Sequence, residues 1–176
     1  GHTQGYEAGM AAGSIIGASR LFAEGVRKYT NSELATLGVI GSSDISTIRE
    51  QTSNYMTAAA QNVAASLGNG IRLRAGVEIN YTGGGELSLA SDWDLSSERF
   101  GDNSDIAGSL VIRTGGNLNI NNSLTDRQSQ TGDSWSFQLV AGADETSADT
   151  IVANAEKDLV IGSGAKVNTG TGDIKL

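Results

Sequence analysis

Asp92, Asp94, Glu98, Asp102 and Asp105 crowd one short stretch of the chain. Carboxylates this close can do one of three things. A pair flanking a sugar bond works as acid and base, or as acid and nucleophile. Several that converge with other oxygens hold a hard cation such as Ca²⁺. Otherwise each accepts an N–H in its own turn and stays solvated. The spacing matches no EF-hand loop, and Gly162–Asp173 fails the pattern of the Ca²⁺-binding nonapeptide repeats. The solvated loop is therefore the favoured reading. Asp92, Asp94, Asp102 and Asp105 rank second, as Ca²⁺ candidates, and paired-carboxylate catalysis ranks last.

Other chemistries are narrowed by what the chain lacks. His2 is the only histidine and stands at the terminus, and there is no cysteine. Ser-His and Cys-His nucleophilic mechanisms, zinc thiolates and disulfides are excluded together. Gly115-Gly116-Asn117 and Gly68-Asn69-Gly70 read as turns, since neither brings the lysine of a phosphate-binding loop or a dinucleotide fingerprint. No cofactor is expected. Trp93 and Trp135 are candidate platforms for a sugar ring, although a place over or in the core is the favoured reading. Asn119, Asn121 and Asn122 are candidates for an internal amide ladder.

The net charge is −8 with 12 basic residues, and the basic residues do not cluster. This argues against a nucleic-acid partner. No apolar run reaches the roughly 20 residues of a membrane span. The chain carries 24 glycines and no proline. Its aliphatics are regularly placed, unlike those of a disordered tail. It does not begin with methionine, and it reads as an internal piece of something longer.

The elements that must position these residues are short. A polar residue followed by apolar-x-apolar recurs at Glu86–Leu89, Ser109–Ile112, Asn117–Ile120, Asp158–Ile161 and Asp173–Leu176, and Ile71–Leu73 and Val77–Ile79 share the alternation. Period two places the aliphatics on one face of a strand. Strands this short, separated by Gly turns and repeating a Gly-Asn/Asp-Leu-x-Ile unit, point to a parallel β-helix over 71–176. Leu87, Leu89, Leu110, Ile112, Leu118, Ile120, Leu159 and Ile161 are the expected core. Ser91–Ala107 and Thr125–Ser134 are expected to protrude as loops.

Residues 31–70 read as a helical segment, with a main helix over about 44–67. Ile45, Ile48, Tyr55, Met56, Ala59, Val63 and Leu67 lie at helical steps, with Ser43 or Asp44 as N-cap and Gly68 as C-cap. That helix is expected to cover an apolar flank or an open edge of the β-helix. A shorter helical turn is expected at Ser32–Leu37. Residues 1–30 read as one β-helix coil, with a glycine-interrupted helix at Ala11–Tyr29 as the alternative.

Two stretches, LRAGVEINYTGGGELSLASDWDL (Leu73–Leu95) and DSWSFQLVAGAD (Asp133–Asp144), flank LVIRTGGNLNINNSLTD. In this order they resemble segments of filamentous haemagglutinin-like exoproteins of two-partner secretion systems. The specific parts are Asp92-Trp93-Asp94-Leu95 and Ser134-Trp135-Ser136-Phe137. The resemblance covers Ile71 to Leu176 well and the preceding part weakly. It implies a right-handed β-helical rod, threaded through an outer-membrane transporter and folded at the bacterial cell surface. It further implies roles in adhesion, aggregation or biofilm.

The reading reached is a non-enzymatic structural and interaction segment of a large adhesin. Its partner would be a surface protein or glycan. Two alternatives are a β-helical carbohydrate-active enzyme or tailspike-like glycan binder, and a self-assembling extracellular filament subunit. The strand pattern stops at Leu176 without a polar cap. The native chain is therefore expected to continue, and the last coil to fray or self-associate through its open end.

Overall fold

A computed structural model describes residues 21–57, 66, 71–101, 103–126, 132–153 and 156–176. The described chain is mainly β-structure with one α-helix. Its strands are β1 (Leu21–Tyr29), β2 (Val39–Ile40), β3 (Ile71–Tyr81), β4 (Leu87–Leu89), β5 (Trp93–Asp94) and β6 (Ser109–Thr114). They continue with β7 (Leu118–Ile120), β8 (Leu124–Asp126), β9 (Ser136–Ala141), β10 (Leu159–Ile161), β11 (Val167–Thr169) and β12 (Ile174–Lys175). The helix, α1, is Ser42–Tyr55.

The strands form three sheets, ordered β1-β3-β6-β9-β12, β10-β7-β4-β2 and β11-β8-β5, and every pairing between these strands is parallel. From β3 onward the chain visits the three sheets in strict rotation. In the first round, α1 follows β2 at the place where a strand of the third sheet would fall.

Register explains the core. Ile40, Leu89, Ile120 and Ile161 are successive partners across the second sheet, beside Leu87, Leu118 and Leu159. In the first sheet Tyr29, Ile79, Ile112 and Leu139 form one row, and Val77, Leu110, Phe137 and Ile174 another. Like side chains thus sit over like, at the spacing of neighbouring strands. Leu87, Leu89, Leu110, Ile112, Leu118 and Ile120 are all fully buried, as the alternation predicts. Leu159 and Ile161 depart from it, being half-buried and 44% exposed. β10 is the outermost strand of its sheet, so these two side chains have a neighbouring strand on one side alone.

Leu21–Tyr29 forms strand β1 and not the second half of a helix. Residues 1–20 lie outside the described residues. The turn expected at Ser32–Leu37 is a single 3-10 turn at Asn31–Glu33, where the Glu33 carboxylate accepts the Thr30 N–H at 2.9 Å.

The α1 helix starts earlier and stops sooner than its periodicity suggests. Gly41 is the N-cap, so Asp44 is the third helical residue and not the cap itself. Its carboxylate reaches back to the Gly41 N–H at 2.9 Å and also accepts the Ala35 N–H at 2.7 Å. Ile45, Ile48 and Thr52 form the buried face. The helix closes at Tyr55 with Met56 as C-cap, its N–H bonded to the Thr52 carbonyl. The alanine run at 58–60 and the cap expected at Gly68 lie outside the described residues.

Asn119 does not join an internal amide ladder. Leu118 and Ile120 take the inward positions of β7, which leaves Asn119 facing outward between Ser88 and Val160. Asn121 and Asn122 follow the end of the strand.

The outer face of the first sheet is partly covered. Glu78 and Arg113, each 2% exposed, form an ion pair at 3.1 Å whose angle falls short of a hydrogen bond. Lys28 adds a second cation at 3.2 Å from Glu78, and Arg113 donates to the Ser147 carbonyl. From the same excursion, Glu145 accepts the N–H groups of Gly83 and Gly84 at 2.8 and 3.0 Å. Burial would raise the Glu145 carboxyl, but these N–H groups, that of Gly115 and the Arg113 charge together hold it below its usual value.

Candidate functional site

Arg49 and Ser53 stand one helical turn apart on α1, with Met56 at its end. The helix thereby aims them at the turn that follows β5. That turn is shaped by the Glu98 N–H bonding the Leu95 carbonyl and by a bridge between Phe100 and Ile106. Gly101 lies between them at φ +82°, where a Cβ would also press on the Arg72 guanidinium and on Ile106.

Helix and turn meet through Arg49. Its Nε donates to Glu98 Oε1 at 2.6 Å, and its Nη2 donates to the Asp94 carbonyl. Asp94 belongs to β5, the edge strand of the third sheet, so Arg49 satisfies part of an open edge.

Behind Glu98 lies a buried latch. Arg99 Nη2 donates to both oxygens of Asp126 at 2.7 and 2.8 Å, and its Nη1 donates to the Leu95 and Glu98 carbonyls. Asp126 also accepts the Trp135 N–H at 2.6 Å. The side chains of this pair are 4% and 0% exposed.

Between α1 and the 97–101 turn opens a cleft of about 400 Å³, lined by Arg49, Ser53, Met56, Ser97, Glu98, Arg99, Phe100 and Gly101. Burial pushes the Glu98 carboxyl above the usual carboxylate range. The Arg49 hydrogen bond and charge oppose the rise, Asp94 adds to it, and Arg99 opposes it.

The acidic stretch is dispersed. Asp92 accepts the Ser123 N–H at 2.7 Å, and Asp94 accepts the Ser96 N–H at 2.9 Å. Asp105 is held by both terminal nitrogens of Arg72, at 3.0 and 2.5 Å. Asp102 lies outside the described residues. Among the described residues no group of three or more His, Asp or Glu side chains is placed to hold a metal ion.

Trp93 and Trp135 are not sugar platforms. They are 1% and 0% exposed, each buried in the core. The Trp135 indole N–H donates to the Glu98 carbonyl at 2.8 Å, and its ring meets Phe100 edge-on at 6.4 Å. Phe100, only partly buried, is the aromatic that lines the cleft. Sequence reasoning passed over Arg49, Ser53 and Phe100. Glu98 was grouped only with its acidic neighbours. The signal available was a lone arginine on the otherwise uncharged face of a helix.

Comparison with protein-family models, with curated proteins and with solved structures gives no match to this chain.

Glu98 has a testable signature. A carboxyl raised by burial makes the folded state hold its proton more tightly than the unfolded state. Its contribution to stability is full below the unfolded value, near 4.3, and is lost as pH rises through the folded value. Glu98→Gln should therefore melt higher than the parent at pH 7, with the difference shrinking toward pH 4. Arg49→Met should melt lower at pH 7, because it leaves the buried carboxylate unpaired. Thermal melts across that pH range check both signs.

Proposed function

We propose that the three parallel sheets are the faces of a right-handed parallel β-helix. In this reading the chain is a structural and interaction segment of a rigid rod at a bacterial cell surface. It has no catalytic role.

One observation carries the proposal: register-matched rows of aliphatic and aromatic side chains run through the three sheets, Trp93, Leu124 and Val167 forming the row of the third, while the chain visits the sheets in rotation. Each round adds a layer of similar side chains to a shared core, which is how solenoids grow. The resemblance of Leu73–Leu95 and Asp133–Asp144 to filamentous haemagglutinin-like exoproteins supplies the biological setting. In that setting an outer-membrane transporter exports the full chain, and a surface protein or glycan is the partner. The non-enzymatic reading rests on the sequence, which has no cysteine and no histidine except His2 to activate a serine. It rests also on the described carboxylates near the cleft each being taken up by arginine or backbone.

Antibody raised against the Ser109–Asp126 region should label intact cells of the producing bacterium. The purified chain should release no reducing sugar from surface polysaccharides. Labelling only after lysis would overturn the surface placement. Turnover that disappears in Glu98→Gln would overturn the non-enzymatic reading.

A further inference from the structure

We propose that the cleft between α1 and the 97–101 turn binds a neutral saccharide. This inference stands on the cleft alone and does not require the rod.

The unused hydrogen-bonding atoms carry the argument. Arg49 spends Nε on Glu98 and Nη2 on the Asp94 carbonyl, and Glu98 spends Oε1 on Arg49. Arg49 Nη1, Glu98 Oε2 and the hydroxyls of Ser53 and Ser97 have no hydrogen-bond partner among the described residues. All four residues line the same cleft. The residues of one cleft thus carry one strong donor, one strong acceptor and two groups that do either, which matches the hydroxyls of a sugar, each both donor and acceptor.

Charge narrows the ligand class. Arg49 and Glu98 are already paired, so the cleft offers no net charge from them to an anion or a cation. A zwitterion could meet Arg49 Nη1 and Glu98 Oε2 with its two charges, but it would leave both serine hydroxyls unused. A polyol needs only the atoms that are still free. The apolar part of the wall is Met56 and Phe100, and Phe100 is steadied edge-on by Trp135. The C–H face of a pyranose packs on such a surface. The volume, about 400 Å³, falls within the usual range of small-ligand pockets, roughly 300–1,000 Å³.

The test is saturation-transfer NMR followed by titration calorimetry on the full chain. The probes are galactose, mannose, N-acetylglucosamine and lactose, with glycine and sodium sulfate as zwitterion and anion controls. At least one sugar should receive saturation, and the controls should not. Glu98→Gln should weaken the best sugar by about tenfold or more, and Ser53→Ala by about fivefold. Ser53→Ala changes one exposed helical side chain, so its fold is checked simply by an unchanged melting temperature. No transfer to any sugar at high millimolar concentration would overturn the proposal. So would stronger binding of glycine or sulfate, or sugar binding indifferent to both substitutions.

Discussion

Leu118→Asp is expected to abolish cooperative folding at neutral pH. Leu118 is fully buried and has a strand on each side, with Leu87 and Leu159 as its partners in the same row. Substitution removes a packed aliphatic side chain, worth about 2–5 kcal/mol, and places a carboxylate in a row of buried aliphatics. The sum rivals the whole stability of a domain this size, about 5–15 kcal/mol. Ile161→Asp makes the same chemical change in the neighbouring row, but at a position 44% exposed. It should cost less than about 1 kcal/mol. Urea titration followed by circular dichroism separates the two, and equal losses would show that the rows do not define the core.

Asp126→Ala is expected to be nearly as damaging, for a different reason. It leaves the Arg99 guanidinium, 4% exposed, with two carbonyls and without its paired carboxylate, and it orphans the Trp135 N–H. Breaking a buried pair from one side costs about 3–5 kcal/mol. Removing both charges while keeping an acceptor for Trp135, as in Arg99→Met with Asp126→Asn, should recover most of that loss. A double-mutant cycle by thermal melting measures the coupling. If Asp126→Ala melts within a few degrees of the parent, Arg99 and Asp126 do not form the latch described.

Period-two patterning made β4, β6, β7, β10 and β12 legible as strands, because each is a polar residue followed by apolar-x-apolar. The exposure of Ile161 was not legible. It depends on which strand lies outermost, and identical Leu-x-Ile units give no hint of that. The helix was found from Ile45 and Ile48, but its start was misplaced. An Asp serves equally at the N-cap or three residues in, and only the backbone of Gly41 decides between them.

The site was far less visible. Arg49 and Glu98 are 49 positions apart, and Arg99 and Asp126 are 27 apart. Such pairs exist only once the strands are in register. The acidic stretch attracted attention as a cluster, yet the fold sends its members to different partners. The two tryptophans lie in the core, the favoured of their two readings. Phe100 carried no motif at all.

Successive strands of each sheet lie side by side in parallel register. The chain contains no cysteine, so introduced thiols report without background. Ser88 and Asn119 are outward-facing partners on β4 and β7, and Asn119 and Val160 are partners on β7 and β10. Neighbouring parallel strands place such Cα atoms about 4.8 Å apart, inside the usual disulfide range of about 4.4–6.8 Å. The measurement is mild oxidation of dilute Ser88→Cys/Asn119→Cys and Asn119→Cys/Val160→Cys proteins, read by intact mass and non-reducing gel. An intramolecular disulfide is expected in both, and free thiols in Ser88→Cys/Thr125→Cys, whose residues lie in different sheets. Free thiols in the first two proteins, or bonds formed only between chains, would contradict that register.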